Sequence, residues 1–142
     1  MADTMRAESG GGIAAPQVGV SKQVLLIDCQ TFGTTNPCPS LEDPRLLVMI
    51  NPTLELSSRG RRWTEACLSA PGFSARVRRA ESCSVTFYDA NMTIQTHTFD
   101  WPLAGAVQHE YDHLIGELYF EKADNRYAGA KIKRALFRAR SL

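Results

Sequence analysis

No stretch of this chain is apolar for long enough to cross a membrane, and the opening run Met1 to Glu8 lacks the apolar core of a secretory signal. A cytoplasmic protein is the default expectation, with a processed organellar one as the other reading. Excess charge of one sign is also missing. Against 16 basic residues stand 15 acidic ones, a net charge of +1, so the electrostatic footprint of a nucleic-acid binder is absent. Cysteine is scarce: Cys29, Cys38, Cys67 and Cys83, with no CxxC pair, argue for free thiols over a disulfide framework. Histidine is scarcer still, at 97, 109 and 113 only, so a site built from imidazoles has few candidates. There is no internal repeat, low-complexity tail or linker, and 142 residues suit one domain over 1–142 with a core of its own.

What is present is ordinary globular composition, 44% hydrophobic and 22% charged. The one basic bias lies at the C-terminus, at Lys131, Lys133, Arg134, Arg138 and Arg140, and its plain interpretation is the solvated face of a helix. The opening residues suit two helical turns stopped by Gly10-Gly11-Gly12. Val24 to Ile27 reads as a buried strand, followed by a long Pro/Thr/Ser-rich loop over 31–45. Leu46 to Ile50 reads as a second strand closed by Asn51-Pro52. Ser84–Tyr88 and Thr93–Phe99 flank the turn-prone Asp89-Ala90-Asn91-Met92 and predict an antiparallel hairpin. From Pro102 the period becomes helical, with Leu103, Val107, Tyr111, Leu114 and Leu118 in step. A last helix over 126–138 would turn Ala128, Ile132, Ala135 and Leu136 inward. The sum is an α+β domain, antiparallel strands around a central helix, with a helix at the C-terminus.

That central helix carries His109-Glu110-Tyr111-Asp112-His113. Positions i and i+4 share a helical face, so both imidazoles can reach one ion. Glu110 projects to the side, where it can take a proton from a water polarised by that ion. His97 falls in the hairpin and reads as a strand residue. A catalytic ion needs a third protein ligand and an open position. The spacing leaves three options: Glu117 and Glu121 downstream, and Cys67 upstream in Glu65-Ala66-Cys67-Leu68-Ser69, which ranks only slightly above them. Cys29, placed in an apolar strand, and Cys83 read as small buried hydrophobes. Cys38 falls in the proline-rich loop and carries no signal. Gly10-Gly11-Gly12-Ile13-Ala14-Ala15-Pro16-Gln17 is a third unusual string, in which clustered glycines allow close backbone approach and Gln17 offers an amide donor.

Taken together and in order, the strings Gly10–Gln17, Glu65–Ser69 and Gln108–Leu114 resemble the three motifs of the peptide deformylases, GxGxAAPQ, EGCLS and QHExDHL. The resemblance makes Cys67 the expected third ligand beside His109 and His113. It implies removal of the N-formyl group from the formyl-methionine of nascent polypeptides, with Fe2+ as the expected metal and Zn2+, Ni2+ or Co2+ able to replace it. It implies Glu110 as the catalytic base and later acid, and the Gln17 amide and Leu68 N–H as donors to the oxyanion. Gly12 and Ile13 would bind the peptide backbone. Trp63, Leu103, Gly105 and Ala106 would line the methionine pocket, and Glu65 and Arg79 would form an ion pair behind the ligand loop. Association with the ribosome through the basic C-terminal helix is a further expectation; a membrane or a specific nucleic acid is not expected as a partner. Three departures stand out. Ala66 replaces the glycine of EGCLS, which would be strained were that backbone left-handed. Ser74 stands where many members carry arginine. The third is an expected shortened N-terminus, since the family usually carries a strand and most of its first helix ahead of the first motif. A catalytically silent homologue and a zinc endopeptidase, the latter drawing a ligand from beyond His113, are the rival expectations.

Overall fold

The computed structural model describes residues 1–39 and 42–139. In chain order its elements are α1 (Ala2–Ala7), β1 (Gly12–Ala14), β2 (Val24–Asp28), β3 (Leu46–Leu56), β4 (Gly60–Ala66), β5 (Ser74–Ala80), β6 (Ser82–Tyr88), β7 (Ile94–Asp100), α2 (Leu103–Leu114) and α3 (Arg126–Ala139). Short 3-10 turns occupy Ala15–Val18, Cys29–Phe32 and Tyr119–Lys122.

Side-chain alternation divides the core between the faces of an antiparallel five-stranded sheet of order β1-β2-β3-β6-β7. Leu25 and Ile27 point to one face with Leu47, Met49, Val85 and Phe87, and this face packs on Ala104, Val107 and Leu114 of α2. Leu26, one residue out of phase, points to the other face, where Met5 of α1 covers it together with Ile13 and Leu46. Burial of these apolar side chains is the main source of stability, roughly 1.5–3 kcal/mol for each one fully removed from water.

Strands β4 and β5 form a separate two-stranded ribbon, in register from Gly60↔Ala80 to Ala66↔Ser74. Sequence periodicity does not reveal them, because the residues they turn inward include Glu65 and Arg79 as well as Trp63 and Val77. The ribbon also corrects the charge map. Arg59, Arg61, Arg62, Arg76 and Arg78 are exposed along it, so the C-terminal helix is not the only basic surface.

Other expectations need adjustment. Strand β3 does not close at Asn51-Pro52; a register shift between Ile50 and Thr53, with Asn51 at φ 50°, carries it on to Leu56. Helix α2 ends at Leu114, since Gly116 takes a left-handed conformation (φ 78°), so Leu118 lies beyond it. Cys29 sits in the turn just after β2 rather than in the strand. Cys38, silent in the sequence, has its sulfur 3.3 Å from Nε2 of His97 on β7, tying the loop to the sheet. Residues Ser40 and Leu41 of that loop, and Arg140 of the C-terminal basic cluster, lie outside the described residues. The inward face of α3 carries Ile132 with Ala128, Ala135 and Leu136, and also Gly129, where a Cβ would come within 2.2 Å of the Phe120 carbonyl oxygen.

Candidate metal centre

Helix α2 is buried nearly all round, the sheet on one side and the ribbon with its following turn on the other. Its polar residues Gln108, His109, Glu110, Asp112 and His113 are therefore all out of water, and each needs a partner. Gln108 supplies its own frame: it exchanges hydrogen bonds with the backbone of Ala80 and donates to Ala104 O, fastening α2 to the end of β5.

One helical turn separates His109 from His113, and the turn after β4 brings Cys67 against them. One ligating atom from each lies within 4.8 Å of the others. The Cys67 sulfur is 3.2 Å from His113 Nε2, accepts from Ser69 N at 3.4 Å and has Gln17 Nε2 at 3.6 Å. Burial alone would push the Cys67 thiol up, but the His109 and His113 imidazoles outweigh it and hold the thiol at about 5. The site thus favours a thiolate at neutral pH, the form in which cysteine binds metals. The carboxylate options do not join this group: Glu117 pairs with Lys122 at 2.6 Å and Glu121 with Lys133 at 2.8 Å.

Behind the ligands runs a chain of charged contacts. His109 Nδ1 is 2.7 Å from Glu65 Oε2, leaving Nε2 to face Cys67 and His113. Arg79 grips both Glu65 oxygens at 2.7 and 2.9 Å and reaches Asp112 Oδ2 at 2.5 Å. Lys122 closes the chain on Asp112 Oδ1 at 2.6 Å. Burial opposes charge on Glu65, yet Arg79 and then His109 hold its carboxyl down to about 2. Tyr119 stacks on His109, ring centroids 6.0 Å apart, and its hydroxyl donates to Phe73 O at 2.9 Å. Of these partners only Glu65 and Arg79 were expected. Asp112 sat unread inside the histidine motif, while Tyr119 and Lys122 fall in a 3-10 turn with no sequence period to place them.

Glu110 is different. It is 6% exposed, and its Oε2 is the unpartnered buried side-chain oxygen among the described residues. Burial raises its carboxyl to about 7, with the neighbouring imidazoles pulling the other way. The carboxylate lies against Gly12, where a Cβ would meet Oε1 at 2.6 Å, so the glycine is required by close approach rather than by a turn. A buried carboxylate with an idle oxygen beside a thiolate and two imidazoles fits a site built for a cation and a water.

The remaining expected residues divide. A cavity of about 460 Å³ opens over the centre, with Gly12, Gln17, Trp63, Leu68, Ala106 and Glu110 in its wall. Leu103 and Gly105 are not in that wall. Leu103 is 5% exposed in the main core, and Gly105 lies behind Trp63 and Trp101, whose rings come within 3.0 and 2.9 Å of where its Cβ would be. Ile13 is buried on β1, at the edge of the main sheet. Gln17 accepts from Ala14 N at 2.8 Å, which turns its amide nitrogen toward Ser69 and Cys67. Ala66 is not among the positive-φ residues and pairs in the ribbon with Ser74, so the expected left-handed strain does not arise.

Comparison with known proteins agrees with this geometry. A family model described as polypeptide deformylase matches residues 1–128. The chain is 39% identical over 126 residues to peptide deformylase 1 of Nostoc sp., covering 88% of this chain and 63% of that one. Among solved structures it resembles the peptide deformylase of Synechococcus elongatus bound to actinonin, with TM-score 0.79, 35% identity, and coverage of 93% of this chain and 66% of that one. A Met-Ala-Ser-bound class I type b peptide deformylase from Acinetobacter baumannii gives TM-score 0.73 at 35% identity, covering 86% and 76%. The chain thus spans less than two thirds of the length of the Nostoc relative. With the family model covering most of its length, the chain belongs to the polypeptide deformylase family.

Proposed function

We propose that this chain removes the formyl group from N-formylmethionyl peptides. The observation that carries the reading is the pairing of a Cys67–His109–His113 donor set with a buried, half-idle Glu110 carboxylate in one cavity. A thiolate and two imidazoles suit Fe2+, the ion expected from the family, and also Zn2+, Ni2+ or Co2+. Bound there, a divalent ion would supply Lewis-acid polarisation.

The chain's own groups then have defined tasks. Glu110, with a pKa near 7, takes a proton from the water that adds to the formyl carbon, then delivers it to the departing amine as the C–N bond breaks and formate leaves. Gln17 Nε2 sits beside the Cys67 sulfur, and the Leu68 N–H follows directly after it in the chain. Both would donate to the oxygen that gains charge, where fixed donors count most. β1 is an edge strand, so Gly12, whose backbone groups alternate away from β2, can pair with an extended peptide, the substrate adding as a further strand. Those of Ile13 turn toward Leu26 of β2. Trp63 and Ala106 would wall the space for the methionine side chain. The relative bound to Met-Ala-Ser supports a tripeptide of that size as ligand.

Nascent formylated chains place the protein where such chains are made, in a bacterial-type cytoplasm or an organelle. Lys131, Arg134 and Arg138, exposed on α3, are the residues we assign to any contact with the ribosome.

The test is formate release from formyl-Met-Ala-Ser by anaerobically purified, iron-loaded protein, beside Glu110→Ala. Release that disappears in the variant supports the reading. Metal bound in normal amount with no formate would make the chain a silent homologue, and cleavage of unformylated peptides would make it an endopeptidase.

A further inference from the structure

Trp63 does two things at once. Its ring forms part of the cavity wall, and its indole Nε1 donates to Glu65 Oε1 at 2.6 Å. Glu65 is the carboxylate that orients His109. Its Oε1 receives Trp63 and Arg79 Nε, and its Oε2 receives Arg79 Nη2 and faces His109 Nδ1, so both oxygens carry two partners. A buried carboxylate fully occupied in this way has one orientation, and each donor removed leaves it less firmly held.

The ring itself is held from behind. Trp101 meets it edge to face, centroids 4.6 Å apart at 74°, and Gly105 leaves room for both rings against α2. Trp101 makes no hydrogen bond to Glu65; it is covered instead by the Arg61 guanidinium, 5.4 Å from its centroid. Of the two tryptophans, only Trp63 joins the wall of the cavity to the support of a ligand.

We propose that Trp63 is a positioning residue for the metal centre: through Glu65 its indole N–H fixes the His109 imidazole, so the wall of the substrate side-chain pocket also sets the strength of metal binding. The proposal rests on Cys67, His109 and His113 holding the ion. Trp63→Phe keeps an aromatic wall and removes only the donor and the second ring. Gly105→Ala keeps the donor but pushes the ring, since the new Cβ would lie 3.0 Å from Trp63 Cζ2, and alanine suits a helix better than glycine.

The experiment measures Zn2+ dissociation constants by competition with a chromogenic chelator for the parent, Trp63→Phe, Gly105→Ala and Trp101→Phe, alongside kcat and KM on formyl-Met-Ala-Ser. Losing a partner behind a ligand weakens metal binding by about tenfold at the low end of the usual range. We expect that loss in Trp63→Phe with kcat reduced and KM little changed, a smaller loss in Gly105→Ala, and none in Trp101→Phe. Should Trp63→Phe fail to fold, judged by its metal-free melting, Gly105→Ala carries the test alone. Parental Zn2+ affinity in the folded variants, or a change confined to KM, overturns the proposal and leaves Trp63 as wall only. A parent that binds no Zn2+ overturns the metal centre itself.

Discussion

At the scale of single residues, Glu110 is the group with most to lose by being where it is. Its neutral form is favoured by burial, which lifts its pKa from 4.5 to about 7. A carboxyl that holds its proton more tightly when folded contributes stability in acid, and that contribution is lost as the pH rises from 4.5 through about 7. Replacing it with the isosteric amide removes the penalty. Metal-free Glu110→Gln is therefore expected to be more stable than the parent above this window, by at most about 3 kcal/mol, and no more stable below it. Denaturant unfolding of chelator-treated protein on either side of the window decides this. The same variant should lower formate release by about a hundred- to ten-thousand-fold, the usual contribution of a positioned acid–base group. A tie in stability above the window would mean that the carboxylate is solvated after all. His109, Glu110 and His113 were legible because helical spacing converts sequence distance into a shared face. Cys67 was not, since its approach depends on how the ribbon docks on α2; only the joint order of the three motifs pointed to it. The polar role of Trp63 was invisible for a similar reason, because a tryptophan reads as apolar until a register sets Glu65 two residues along on the same side.

At the scale of elements, the ribbon and α2 are joined through Arg79, which is 4% exposed and satisfies Glu65 on its own ribbon and Asp112 on the helix. Removing it would leave two buried carboxylates without their main cation, although Lys122 still holds one oxygen of Asp112. Arg79→Met is accordingly expected to destabilise the protein by about 3–5 kcal/mol, the cost of breaking a buried pair by deleting one partner. Arg79→Lys should recover only part, since an ammonium cannot grip both oxygens of Glu65 with a fork of donors. Urea unfolding of the two variants measures the difference; a loss within experimental error of zero for Arg79→Met would show that the network contributes nothing net. This joint also explains what the sequence concealed. The hairpin of β6 and β7, the helix α2 and the last helix follow from apolar periodicity, whereas β4 and β5 do not, because their inward positions include the ion pair that docks them. Strand β3 was cut short for a different reason. Asn51-Pro52 has the composition of a strand end, and a bulge with Asn51 in the left-handed region absorbs it.

At the scale of the whole molecule, the candidate centre is a bond between layers. Cys67 follows the end of β4, and His109 and His113 belong to α2, so an ion shared by them would cross-link the ribbon to the helix that fills the main core. A ligand that binds only the folded state stabilises it by RT ln(1 + [L]/Kd), about 2.7 kcal/mol at a hundred times Kd. For a domain of this length each kcal/mol raises the melting temperature by about 2–4 °C, so saturating metal should raise it by roughly 5–10 °C. The increment should grow with the logarithm of free metal, vanish with a chelator, and be absent in Cys67→Ala, whose sulfur ligand is gone. It should survive in Glu110→Gln, because Glu110 is assigned to the water and the amine rather than to the ion. Calorimetric scans of the three proteins at stepped Zn2+ concentrations separate the two roles. An increment of equal size in the parent and Cys67→Ala would place the ion elsewhere, and one lost in Glu110→Gln would make that carboxylate a ligand and return the choice of base to an open question.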